Sequence, residues 1–190
     1  MEIALLITSL LLIAFGLLAV IDGFYLHIFK YQLHNHSESK TEHLTHTVRA
    51  VLFPAIVYFL FLKQNCDTSF YIGVLLVIID IIVLAIDAYT EKDSRAFMGG
   101  LPRWEYILHL FVNGFHFSSI AVFLAVKLNL SNKGINIVSD LSQFKNFEIF
   151  EFITTNLIPG AIVLAFIHII IAFKPTAVYW NRMREEIVCC

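Results

Sequence analysis

Eight histidines are spread unevenly along the 190-residue chain. His27, His34, His36, His43, His46, His109, His116 and His168 all fall near one set of apolar-segment ends or in the half-helix beside them. The connections at the opposite ends hold none. Asp22, Asp80, Asp87, Glu91 and Glu105 share the bias. Imidazoles mixed with carboxylates are the ligand set of zinc, iron and manganese, and facing helices of a bundle can supply them jointly.

Spacing sharpens the set. In WEYILHLFVNGFHF, residues 104–117, Glu105, His109 and His116 fall at i, i+4 and i+11 on one helical face, with Asn113 beside them. Asp80, Asp87 and Glu91 share a face of the preceding segment, and Glu42, His46 and Arg49 stack at the start of another. His27 and His34 share a face if the first helix continues past the membrane. The expected metal ligands are therefore His109 and His116, then Asp87, His46, His168 and His27. Glu105, Asp80 and Asp87 are the expected catalytic carboxylates, carrying protons or orienting the imidazoles. Other polar residues have plainer readings. Ser39-Lys-Thr-Glu42 is a capping box that accounts for Glu42. His34 and His36 read as solvated loop residues, and Arg49 as salt-bridging or phosphate-facing.

The elements that must position these residues are hydrophobic helices. Apolar residues make up 58% of the chain and charged ones 15%, against about 45–50% and 25% in soluble domains. Mean hydropathy is +0.77. About 20 apolar residues cross the hydrocarbon layer, and five segments qualify: about 3–29, 47–63, 69–90, 104–127 and 155–174. The expected fold is an all-α integral membrane bundle of five transmembrane helices, a single domain over residues 1–190. An outer segment, 137–152, is expected to lie as a helix in the interface. Pro54 should kink the second helix, and Pro102 suits the first turn of the fourth. Of the 13 basic residues, nine (Lys30, Lys40, Arg49, Lys92, Arg95, Arg103, Lys174, Arg182, Arg184) lie on the histidine-rich side and four on the other. The positive-inside rule then gives N-out and C-in, with the histidine-rich side cytoplasmic.

The same numbers exclude several classes. A net charge of −2 offers no basic field for nucleic acid. The first apolar run lacks a basic n-region and a small-residue cleavage site, so it reads as a retained span. Cys66 is separated from Cys189 and Cys190 by the membrane, which excludes a disulfide between them within one chain. The terminal pair could carry a lipid, although it does not form a C-a-a-X box. The His-rich boxes of membrane desaturases and hydroxylases are absent, as is any G-x-S-x-G.

The expected function is a membrane-embedded metal-dependent enzyme acting on a lipid-like or hydrophobic small molecule, in contact with membrane lipid. The ligands exceed what one zinc needs, which favours a dimetal iron oxidoreductase over a zinc-dependent lipid hydrolase. Two other readings use the same residues. A b-type haem would need two facing histidines and an apolar slot. Proton or metal transport would use Asp80, Asp87 and His116 as a relay.

Overall fold

The structure, a computed structural model, describes residues 2–131 and 134–188; Cys189 and Cys190 lie outside the described residues. Five helices are long and apolar enough to cross a membrane. They are α1 (Glu2–Ala19), α2 (Lys40–Ile56), α3 (Asp67–Ser94), α4 (Arg103–Lys127) and α5 (Phe147–Ile171). Two of them widen. The helix begun by α1 runs on as π-helical turns over Val20–Lys30, and that of α2 does so over Val57–Leu62. Each widened stretch closes on an i→i−5 bond, Tyr31 N to Leu26 O at 2.8 Å and Lys63 N to Tyr58 O at 2.9 Å.

Around the bundle the order is α3, α2, α5, α1, α4: α1 packs on α4 and α5, and α2 on α3 and α5. α3 and α4 leave a cleft between them. Large apolar side chains such as Leu17, Leu75, Ile82, Phe152 and Phe166 point outward, which suits helices solvated by lipid rather than water. The inward residues divide by height. Near the α2–α3 connection the interior is mainly apolar, with Phe61, Phe123 and Phe150 in mutual ring contact, Leu5, Ile56 and Leu60 around them, and buried Lys127 donating to Gln64 O at 2.9 Å. Toward the α1–α2 and α3–α4 connections it is polar.

Several local expectations are replaced. No interfacial helix occupies 137–152. A hairpin of β1 (Leu128–Ser131) and β2 (Gly134–Ile137) comes first, and α5 starts at Phe147 and runs straight into its span. The alternation of Leu128, Leu130, Ile135 and Ile137 along two paired strands is strand chemistry. The capping box also fails to form. Ser39 precedes α2, but its hydroxyl donates to Ser94 O at 2.7 Å, and Glu42 turns inward. The first helix stops at Lys30. Gln32 adopts φ 52° and a single turn, Leu33–Asn35, follows, so His34 does not extend the face of His27. Beyond α5, Pro175 lies in the first turn of a sixth helix, α6 (Lys174–Val188), which carries Trp180 against Phe24 and Phe29.

One close approach sets the packing of α3 on α2. A Cβ on Gly73 would lie 2.8 Å from Leu60 Cβ and 2.9 Å from Leu60 backbone atoms. Gly73→Ala is expected to destabilise by about 1–3 kcal/mol through overpacking. Thermal unfolding in detergent checks this, with Gly114→Ala as the control because open space surrounds that position. Equal melting temperatures for the two variants would refute the close packing.

Candidate metal centre

The polar end of the bundle is organised by depth. Deepest lies Asp80 of α3, which accepts from Arg49 Nε at 3.0 Å and sits 3.2 Å from His116 Nε2. Arg49 Nη2 also donates to Asn113 Oδ1 at 2.8 Å, and Asn113 donates to the His109 carbonyl at 2.9 Å. One level nearer the connections, His46 Nε2 stands 3.2 Å from Asp87 Oδ2, whose other oxygen accepts from Thr45. At that level His109 is held between two carboxylates: Nε2 lies 2.9 Å from Asp22 Oδ1, and Nδ1 contacts Glu91.

His27 is the centre of the group. It is completely buried, and its ring lies 4.0 Å from that of His46 and 5.8 Å from that of His109. Its Nε2 is 3.2 Å from Arg95 Nη2. A guanidinium only donates, so Nε2 carries a lone pair. That lone pair also faces Asp22 Oδ1 at 3.4 Å, Glu42 Oε1 at 3.8 Å and Glu105 Oε1 at 3.9 Å. Four electron-rich atoms thus converge on a buried point that the Arg95 guanidinium also reaches. Two triads place one ligand atom per residue within 4.8 Å of one another: Asp22, His27 and His46, and His27, Glu105 and His109. They share His27, and the donor set of nitrogen and oxygen fits a borderline divalent metal.

The pairing of Asp22 with His27 comes from the backbone. In an α-helix, residues five apart point about 140° away from each other. The π-helical turns over Val20–Lys30 close i→i+5 rings, which bring the two side chains together.

Arg95 offsets part of the cluster's negative charge. It has no exposed surface, donates to Glu42 Oε2 and to Glu105 Oε1 at 2.6 Å each, and lies over the Tyr31 ring. Tyr31 follows the first span. Burial, and then the neighbouring Glu105 carboxylate, pushes its hydroxyl up to about 12, so it stays protonated and a donor at neutral pH.

Two cavities reach the centre. One of about 280 Å³ is lined by Gly16, Val20, Leu157, Ala161 and Leu164, and at its polar end by Asp80, His116 and His168. The other, about 660 Å³, is the cleft between α3 and α4, lined by Leu84, Ala88, Tyr106, Leu110 and Phe117. Asp22, His46 and Arg49 line both.

Of the residues expected from sequence, His27, His46, His109 and Glu105 are brought together, and Asp87 stands directly behind His46. His116 and Asp80 pair with each other instead, on the cavity wall outside both triads. His168 packs against Gly23, where a Cβ would come within 3.2 Å of Nε2, and beside His43 at 5.6 Å between rings. Sequence reasoning assigned no site role to Asp22, Glu42, Arg95 or Tyr31. The chain matches no protein-family model, no curated protein and no solved structure.

Removing the charge of Arg95 strands two buried carboxylates. Arg95→Met is expected to cost about 3–5 kcal/mol. Combining it with Glu42→Gln and Glu105→Gln should recover most of that loss in a detergent unfolding assay. A single variant as stable as the unaltered protein would contradict the buried pairing.

Proposed function

We propose that the chain is a membrane-embedded, metal-dependent enzyme with its centre at Asp22, His27, His46, Glu105 and His109, acting on a lipid-like or otherwise hydrophobic substrate. The observation that carries this reading is the convergence of the two triads on the completely buried His27, with His46 and His109 half-buried beside it. An ionisable group at membrane depth costs at least about 2.5 kcal/mol on insertion scales. A cluster this dense at the polar end of a lipid-solvated bundle calls for a common partner.

Two overlapping triads of mixed nitrogen and oxygen favour a two-iron oxidoreductase, with a zinc-dependent lipid hydrolase as the second reading. Bound iron supplies one-electron redox chemistry and zinc supplies Lewis acidity. The protein residues do the rest. Glu91 and Asp87 orient His109 and His46 through ring nitrogens, as outer carboxylates do in metal sites. Glu105, held by Arg95 and facing Tyr31, is placed to carry a proton. The apolar cavity beside Asp22 and His46 receives the hydrocarbon part of the substrate, and Arg49 with Asp80 and His116 meets its polar part. The cleft between α3 and α4 gives lateral access from lipid.

Haem is less well supported. His27 and His46 stand edge to face at 4.0 Å with carboxylates against them, whereas a macrocycle needs an apolar slot. Transport is less well supported too, because the Phe61–Phe123–Phe150 cluster fills the far half of the interior. The excess of basic residues at the polar end, nine to four, favours N-out and C-in with the centre on the cytoplasmic side. A C-terminal reporter active only outside the cell would reverse that orientation.

Elemental analysis of the purified protein tests the centre. Iron or zinc is expected at one or two equivalents per chain, falling by at least tenfold in His27→Ala and His109→Ala. His116→Ala is expected to keep the metal, and Glu105→Gln to keep most of it while losing turnover. Metal-free protein as isolated, or His27→Ala with unchanged metal content, would end this reading.

A further inference from the structure

Three further histidines gather beside the centre without belonging to it. His34 comes from the turn between α1 and α2, His43 from the start of α2, and His168 from the end of α5. Ring centroids are 6.0 Å apart for His34 and His43 and 5.6 Å for His43 and His168. His43 and His168 are 6% and 1% exposed.

Their surroundings differ from those of the centre. His27, His46, His109 and His116 each have a carboxylate within ion-pair distance. Among the described residues, none of these three does. Neither ring nitrogen of His43 makes a hydrogen bond of ordinary geometry, nor does Nδ1 of His34 or of His168. Buried polar atoms are normally satisfied, so this many unmet nitrogens in one place marks a site for something that accepts lone pairs.

Hydrogen-bond donors could do so singly, but a metal ion does it for all three. With nitrogens at about 2.0–2.1 Å, a tetrahedral ion sets neighbouring imidazole centroids about 5.2 Å apart. The two spacings that involve His43 are within 1 Å of that value, while the three ligand nitrogens do not yet all lie within 4.8 Å of one another. Rotation about χ2, which is soft for histidine, aims the nitrogens at a common point. A neutral, all-nitrogen set suits zinc and copper rather than the hard cations.

We propose a second metal site in which His34, His43 and His168 hold one divalent ion of the zinc class, leaving the fourth position to water. The ion ties the α1–α2 turn to α2 and α5. It reaches α6 as well, because His34 Nε2 lies 3.4 Å from Asn181 Oδ1. This site is independent of the centre at His27, and either can hold metal without the other.

Titration of the metal-stripped full chain in detergent with Co²⁺ tests it, since tetrahedral nitrogen coordination gives intense visible absorption. In protein whose main centre is disabled by Asp22→Asn with His27→Ala, one tetrahedral equivalent is expected to remain. His43→Ala should remove that equivalent, and His34→Gln, on a surface turn, should weaken it at least tenfold. No equivalent after the centre is disabled, or unchanged titrations in both histidine variants, would overturn the proposal. If the disabled centre does not fold, unaltered protein is compared with His34→Gln directly. One equivalent fewer, or one weakened tenfold, supports the site, and identical curves overturn it. Loss of metal from the His27 centre alone bears only on the proposed enzyme.

Discussion

A guanidinium without exposed surface, wedged between two buried carboxylates, is the interaction on which the polar end of this bundle depends. Arg95 follows α3, Glu42 lies in the first turn of α2 and Glu105 in the first turn of α4. One cation therefore fastens three helices, two of which, α3 and α4, are otherwise separated by a cleft. A lone buried charge there would be costly, and a matched set is tolerated because each charge is hydrogen-bonded to its opposite. With Glu105 fixed in this way, His27 and His109 have a defined neighbour.

Above that clamp, the remaining polar side chains form a ladder. His109 with Asp22 and Glu91, His46 with Asp87, and His116 with Asp80 and Arg49 succeed one another toward the apolar half. Each imidazole has its own carboxylate, which fixes ring orientation before any ligand arrives. The cavities meet this ladder from two sides, one between α1 and α5 and one between α3 and α4. Both cavities thus bring apolar lining up against these polar residues.

The hydropathy blocks made five spans legible, because lipid-solvated helices declare themselves by composition. The polar helix α6 was missed for the converse reason: residues 174–188 lack an apolar block. Histidine placement pointed to the polar end of the bundle and to His27, His46 and His109, which the fold brings into the two triads. His116 falls outside both triads. Seven residues separate it from His109, which preserves the face but moves it about 10 Å along the axis, into the company of Asp80. Arg95 escaped because a basic residue before Gly99-Gly100 reads as loop charge. Glu42 escaped because a capping pattern explained it sufficiently.

The widened turns of the first helix have an evolutionary consequence. A π-helical stretch is an α-helix carrying surplus residues, so its existence is a matter of chain length as much as of side-chain identity. Substitutions at outward positions such as Val20, Ile21 and Tyr25 leave the facing of Asp22 and His27 intact. Loss of one codon between them leaves four residues of separation, about 40° apart in an ordinary α-helix, so the pair survives the deletion only if the widened turn closes with it. Homologous chains should therefore drift freely in the letters of this segment and change its length only together with its helix type.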